Sequence, residues 1–506
     1  MVSNSFLDTV RDWEGTAENL AAELQRGTIG LELPVEPPSV RTVRLWRLKR
    51  LLSNSRGAPF GFRQILEGLA ISVLLGRGWS LVAIADLLPT LDHAALEARL
   101  ISEGNSEAAS WTSGLSDTSD PLSLTRRFTK EATEDAVILL AQGIIRQYDR
   151  ILTGREIIRQ DDGLPPELHS AMCKLGRLYI EAGQHDRAAC VHDILARARY
   201  PFHSAEWNLD GFMHPDFRFR DAVLIDPDLR VPTVDCSALA SASGGFGEDN
   251  VVEHRLHSEL RDAAERLGSR RRHIAYTAVR ELVGRRSLAT ELELARYLEE
   301  RDLVPLQETI LETLFDPVPD AWLFKGMAHR CAHCGTLLRP HSDFRQYPDG
   351  FCPIRQCRGK WPTQLGEKLD PARSRLLVAR PQILTYWTGP AIDELAIFDE
   401  ARRRGLEAAL YPESDLCDVS IDVHAIGIDA KSYTSPVSLA LRLNQGIGGL
   451  VNFRRRIIAI GDELIATNPD YLHIARSSLE RKGDPATLEI LPVSSVLSLL
   501  RSRLHA

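Results

Sequence analysis

The chain has 506 residues, 44% of them hydrophobic and 26% charged, with a formal net charge of -8 at pH 7. That length exceeds what one hydrophobic core organises, so several domains are expected, and the acidic balance excludes a uniformly basic nucleic-acid coat while leaving room for local basic patches. Of the eight cysteines, four fall between Cys331 and Cys357 and the rest are scattered, which excludes a disulfide framework and fits a reducing, intracellular setting, expected to be the cytoplasm. The opening residues MVSNSFLDTVRDWEG lack the apolar stretch of a signal peptide, and no apolar run reaches the length of a membrane span.

Residues 1–36 read as a helical lead-in that ends at the prolines of ELPVEPPS. Residues 37–102 read as a compact helical unit. The stretch SVRTVRLWRLKRLLSNSRGAPFGFRQILEGLAISVLLGRGWSLVAIADLL, Ser39 to Leu88, opens with a helix carrying Arg41, Arg44, Arg47, Lys49 and Arg50. A turn with Arg56 and Gly57 follows, then FGFR ending in Arg63, then an apolar helix. This resembles the MerR-type winged helix-turn-helix at Thr42, Arg44, Trp46, Gly61, Phe62, Arg63, Gly78, Ser80, Leu81 and Ile84. The resemblance implies duplex DNA binding. The basic helix would enter the major groove and the wing arginine would meet phosphate, so Arg41, Arg44, Arg47 and Arg63 are the candidate DNA-binding residues. The competing reading is a helical protein-interaction module with a solvated basic face.

Residues 103–128, rich in Ser, Gly and Asp, read as a linker. Residues 129–320 read as a mostly helical scaffold domain. Within it, LHSAMCKLGRLYIEAGQHDRAACVHDILARA predicts a helical hairpin turning at Gly183. It is similar to one tetratricopeptide-type pair, with no second copy. SALASASGGFGEDN reads as a flexible segment. The chain has no Gly-x-x-x-x-Gly-Lys-Ser/Thr loop, so it is not an obvious nucleotide-driven motor.

Residues 321–365 hold Cys331-x-x-Cys334 and Cys352-x-x-x-x-Cys357, two close pairs with the layout of a tetrahedral Zn²⁺ ribbon. Gly335 suits the tight turn of the first knuckle. Four thiolates close the coordination sphere, which makes the predicted site structural. The second pair is irregular, so His329, His333 and His341 stand as substitute ligands. Arg330, Arg339, Arg345, Arg355, Arg358 and Lys360 surround the site and offer a nucleic-acid contact.

From residue 376 to 506 helices alternate with β-branched strands, which predicts an α/β domain. In DVSIDVHAIGIDAKSY, two strands joined by a two-residue turn at His424 and Ala425 would pair 420 with 429 and 418 with 431. Period two then gathers Asp418, Asp429 and Lys431 on one face and sends Val419, Ile421, Ile428 and Ala430 into a core. Two carboxylates that close call for a divalent cation, and Mg²⁺ fits oxygen ligands that leave several waters in place. A metal-bound water would attack phosphorus, with Lys431 serving that water or the phosphate charge.

This arrangement resembles the PD-(D/E)xK nuclease superfamily. The helix GPAIDELAIFDEARRRGL precedes the hairpin and offers Glu394 or Glu400 as a further acid. A helix carrying Gln445 and the strand RRRIIAIGDELI follow it. Asp415 rivals Asp418 as the first metal ligand, and Asp422 is either a ligand or a rim charge. More narrowly, TAVRELVGRR, LFKGMAHRCAHCG, the second cysteine pair and the Asp418/Asp429-x-Lys431 core, in that order, resemble the restriction-endonuclease-like proteins of prokaryotic PIWI-RE (pPIWI-RE) modules. That resemblance implies DNA as substrate, a role against phage or plasmid DNA, a PIWI-like partner and a DinG-type helicase. A homodimer would suit double-strand cutting.

The expectation is therefore a multidomain chain: all-α N-terminal and middle regions, a zinc ribbon, and a C-terminal α/β PD-(D/E)xK domain at residues 376–506. Its activity would be Mg²⁺-dependent DNA endonuclease. Asp418 and Asp429 would hold Mg²⁺, Lys431 and Glu394 would complete the catalytic set, and Cys331, Cys334, Cys352 and Cys357 would hold Zn²⁺. The alternative is a catalytically inert, zinc-containing DNA-binding adaptor or transcription regulator.

Overall fold

The computed structural model describes residues 5–33, 35, 37–49, 51–53, 58–76, 81–104, 121–152, 163–242, 252–268, 271–480 and 488–502. Arg50, Arg56, Gly57, Gly78 and Ser80 of the basic head lie outside the described residues. So do most of the 103–128 linker and the end of SALASASGGFGEDN. The chain forms two compact units, Met1–Ala132 and Thr133–Ala506.

In the first unit the helix Phe62–Gly76 is apolar almost all round, and every residue from Gln64 to Leu74 is buried, so it becomes the centre of a helical cluster. Leu20 and Leu24 from Ala17–Gly30, Val43 and Trp46 from Val40–Leu48, and Leu96 and Leu100 from His93–Gly104 close around it. Residues of the lead-in thus share this core. The entry of Ala17–Gly30 is fixed by a Thr16–Asn19 capping box, and Ser39 caps the basic helix. Phe60–Gly61 pairs antiparallel with Glu14–Gly15, and FGFR then runs directly into the central helix.

The second unit contains the predicted hairpin. Helix Pro166–Glu181 ends before Gly183, which takes the left-handed φ of 73° that a side chain would resist, and Val191–Arg197 follows. An aromatic knot of Phe202, Trp207, Phe212 and Phe217 fills the space below it. Two further helices matter for the site: α1, Val252–Glu265, and α2, Arg272–Arg285.

After the cysteine-rich segment, helix α3, Gly389–Arg403, is entered through a wide π turn at Leu384–Thr388. A five-stranded sheet follows: β1 (Ala408–Leu410), β2 (Val419–Ile421), β3 (Ile426–Lys431), β4 (Arg455–Ile460) and β5 (Leu488–Pro492), in the spatial order β5-β4-β3-β2-β1. The first three strands are an antiparallel meander. Helix α4, Pro436–Gln445, then crosses over to the parallel strand β4, and β5 adds in parallel beyond it. Helix α5, Val493–Ser502, closes the chain. Strand β4 ends in the buried apolar run Ile457–Ile460, whereas β3 alternates, with Ile426, Ile428 and Ala430 buried and Asp429 and Lys431 partly exposed.

One hydrophobic core runs from Leu229 to Leu500 and takes in α1, α2, the four cysteines, α3 and the sheet, so it crosses residues 320, 365 and 376 without a break. Among the described residues no helix is long and apolar enough to cross a membrane.

Candidate functional site

The four cysteines come together as the sequence spacing predicts. Their ligand atoms all lie within 4.8 Å of one another and all four residues are buried. Cys331 and Cys357 Sγ are 3.8 Å apart, and Cys334 and Cys352 Sγ are 3.5 Å apart. A Zn–S bond of about 2.3 Å gives a tetrahedral edge of about 3.8 Å, so the donor set fits Zn²⁺ in both chemistry and size. The first knuckle is closed by Gly335 N donating to Cys331 O at 3.0 Å. Gly335 has φ 71°, and a Cβ there would come within 2.8 Å of Arg285 O on α2. The histidines are engaged elsewhere. His329 stacks on Phe324, His333 on Trp361, and His341 packs against Tyr347 and Phe351.

Most of the surrounding cations hold the protein together. Arg330 pairs with Glu293 and Glu367, and Arg358 with Asp228. Arg339 stacks on Trp322, and Lys360 pairs with Asp393 and Glu463. Arg355, in the helix that carries Cys357, donates to Ser432 O at 2.9 Å and to Thr434 Oγ1. The cysteine module therefore grips the chain immediately after Lys431. Arg345 alone of the six is exposed.

The carboxylates gather at the end of β2 and β3. The hairpin register pairs Ile421 with Ile426 and Val419 with Ile428, which extends to place Asp418 opposite Asp429. This corrects the predicted pairing of 418 with 431. The turn spans residues 422–425 rather than two, with Asp422 and Val423 at left-handed φ of 52° and 58°. A shift of two residues keeps every side chain on its face. Val419, Ile421 and Ile428 are accordingly in the core, while Asp418, Asp429 and Lys431 line a cavity of about 290 Å³. Asp418 N donates to Asp429 Oδ1 at 3.2 Å, Ala430 N donates to Asp418 Oδ2 at 2.7 Å, and Lys431 Nζ lies 3.3 Å from Asp429 Oδ2. Asp422 sits in the exposed turn, away from these groups.

Glu394, from α3, lines the same cavity and is 2% exposed. The Tyr411 hydroxyl donates to its Oε2, and Arg280 Nη2 lies 3.7 Å away. Asp415 lines the same cavity. Its Oδ2 accepts from Tyr276 Oη at 2.9 Å and Arg280 Nη1 at 3.4 Å, with His257 Nδ1 at 3.2 Å. Glu400 lies outside the cavity, clamped by Arg403, Arg404 and Arg501. Gln445 lines the cavity and donates to Ser241 O at 3.2 Å.

The electrostatics follow from crowding. Burial pushes Asp418 well above the usual carboxylate range, and Glu394 and Asp429 add to the effect. Burial raises Asp429 as well, against the pull of Lys431. Burial works against the Lys431 charge, yet Asp429 and Asp418 hold its pKa above the ordinary lysine value. Burial raises Glu394 to about 7, opposed by Arg280 and the Tyr411 hydroxyl. Burial opposes ionisation of Asp415, but Arg280, His257 and Tyr276 hold it below the usual value. An excess of carboxylate over cation in a cavity is an environment that a divalent cation relieves.

Sequence reasoning missed the helical wall of this cavity. Glu253, His254 and His257 from α1 and Arg280 from α2 line it more than 130 residues from Lys431. Burial opposes ionisation of Glu253, but His257 and Lys431 hold it below its usual value. The one signal available was the segment TAVRELVGRR, which contains Arg280.

The head arginines have mixed surroundings. Arg41 is exposed, and Arg44 is exposed and paired with Glu18. Arg47 donates to Ala58 O at 3.0 Å and lies over Phe60. Arg63 is bound to the buried Glu67 at 2.8 Å and to Leu88 O at 2.8 Å.

Residues 391–506 match a protein family described as "REase associating with pPIWI_RE". The description supports a restriction-endonuclease-type role for this region and an association with pPIWI_RE. The matched span contains Glu394, Asp415, Asp418, Asp429 and Lys431, and excludes the four cysteines, α1 and α2. No curated protein and no solved structure matches the chain.

Proposed function

We propose that the chain is a metal-dependent DNA endonuclease of the PD-(D/E)xK type, acting with a PIWI-like partner in defence against foreign DNA. The observation that carries this reading is the juxtaposition of Asp418 and Asp429 across the β2–β3 ladder with Lys431 two residues on, all lining one cavity. The order helix, three-stranded meander, crossover helix, parallel strand supports it, because that order brings α3 and Glu394 to the same end of the sheet.

Asp418 and Asp429 would hold Mg²⁺ through carboxylate oxygens. When bound, the cation would lower the pKa of a coordinated water and neutralise charge on the phosphate. Lys431 keeps its proton and donates it as a hydrogen bond to the attacking water or to a phosphate oxygen, stabilising charge that grows in the transition state. Glu394 is held by the Tyr411 hydroxyl and adds negative charge behind the ligand pair. The four cysteines would hold Zn²⁺ as a structural ion, fixing Arg355 and through it the segment after Lys431. DNA binding by the first unit would fall to Arg41 and Arg44, the exposed members of the candidate set.

The test is plasmid cleavage by the full chain with Mg²⁺, alone and with the PIWI-like partner, comparing wild type with Lys431→Ala. Cleavage by wild type and its loss in the variant is the expected result. A wild type that cuts under no metal or partner condition would sink the reading and leave the inert adaptor. A gel shift with Arg41→Ala and Arg44→Ala tests the head, where each lost phosphate contact should lower the salt dependence of duplex binding by about one.

A further inference from the structure

We propose that Arg280, supplied by the helical region, is the positioning residue of the nuclease centre, holding Glu394 and Asp415 from outside the matched segment 391–506. This rests on the nuclease reading above and adds to it that the centre is composite.

Arg280 is 3% exposed, and its guanidinium is held between aromatic rings and carboxylates. The ring of Tyr411 lies 4.4 Å from its Cζ and that of Trp387 lies 5.2 Å away. Two aromatic contacts fix the guanidinium plane and keep water from it. At its edge, Nη2 faces Glu394 at 3.7 Å and Nη1 faces Asp415 at 3.4 Å. One cation thus serves the buried Glu394 and the half-buried Asp415, on two different elements, α3 and the turn before β2. A buried carboxylate that loses such a partner either takes up a proton or moves.

The geometry also separates the two rival acids. Asp415 receives Tyr276, Arg280 and His257, all on one oxygen, Oδ2. It sits in a segment where Tyr411, Glu413, Ser414 and Asp415 all have positive φ, a strained path that needs fixing from outside. Helix α2 fixes it: Thr277 reaches Leu410 O and Tyr411 O, and His273 Nδ1 lies 2.7 Å from Ser414 Oγ. Asp415 is accordingly the counterion that seats Arg280, and Asp418 is left to face Asp429 across the ladder. Tyr411 links the two halves, since its ring stacks on Arg280 while its hydroxyl donates to Glu394.

The experiment uses the full chain with Arg280→Lys, Arg280→Met and Tyr411→Phe. It measures kcat and KM on DNA, the melting temperature, and Mn²⁺ affinity by calorimetry without DNA. Expected are a fall in kcat of about 10-fold for Arg280→Lys, about 100-fold for Arg280→Met and about 10-fold for Tyr411→Phe. KM and Mn²⁺ affinity should stay within about two-fold, because ligands and DNA contacts are untouched. If Arg280→Met does not fold, Arg280→Lys and the charge-balanced pair Arg280→Met with Asp415→Asn carry the test. Wild-type kcat in Arg280→Lys, beside a wild type that cuts, would overturn the proposal alone. Loss of Mn²⁺ affinity in step with kcat would also overturn it, since Arg280 would then be acting on the ligand pair. A wild type that never cuts removes the nuclease reading and this proposal with it.

Discussion

The second unit carries two clusters of candidate metal ligands, and they are built on opposite principles. The four cysteine sulfurs converge, buried, at the spacing of a tetrahedral ion, whose coordination four thiolates would complete. The carboxylates Asp418, Asp429 and Glu394 line one cavity, and each is tied to a protein donor: Ala430 N, Lys431 and Tyr411 respectively. A closed cluster of soft ligands stabilises a fold. An open wall of hard ligands beside a retained cation is suited to exchange of water and phosphate.

That contrast can be broken most forcefully at the thiolates. Cys331→Ser should release zinc and destabilise the second unit by about 5 kcal/mol or more, read as lost metal and a collapsed melting transition. Full metal retention would mean these sulfurs are not the ligands. Lys431→Ala should act in the reverse manner. It should lower cleavage by about 10³-fold, about 4 kcal/mol of transition-state stabilisation, while zinc content and melting temperature stay near wild type. A variant that loses stability instead would erase the distinction between the two clusters.

A third test lies between them, at Asp235. This carboxylate is buried and accepts from Thr434 N at 2.9 Å and Ser435 N at 3.0 Å, at the start of α4. Burial raises its pKa to about 6. An unfolded Asp titrates near 3.9, so between about pH 4 and pH 6 the folded chain binds more protons than the unfolded one, and stability falls as pH rises through that window. Asp235→Asn has no such titration. Its stability relative to wild type should therefore improve by about 2–3 kcal/mol from pH 4 to pH 6 and stay flat above. A pH-independent difference would refute the assignment. Smallest in effect, Arg355→Ala should leave zinc bound and lower kcat about ten-fold, because it cuts the link from the cysteine helix to Ser432 and Thr434.

The parts of this molecule that could be read from its sequence are those where one local period decides the outcome. The cysteine pairs were legible because knuckle geometry fixes their spacing. The faces of the hairpin were legible because strand side chains alternate. The pairing was not, since Val423 joins Asp422 at left-handed φ, which a β-branched residue does not advertise, and the turn is two residues longer than expected. Arg63 read as a wing residue, yet the structure ties it to Glu67 and Leu88, a contact that depends on how helices pack. Arg280 was signalled only through the segment TAVRELVGRR, and His257 and Glu253 had no local signal, because their role arises only when α1 and α2 close over the sheet.

The continuous core from Leu229 to Leu500 has a practical meaning for protein engineering. A cassette cut at residue 376 or 391 and fused to a foreign DNA reader would carry Asp418, Asp429 and Lys431. It would also expose the apolar face that α2 and the cysteine module cover, and leave Glu394 without Arg280. The transferable unit is the whole of residues 133–506.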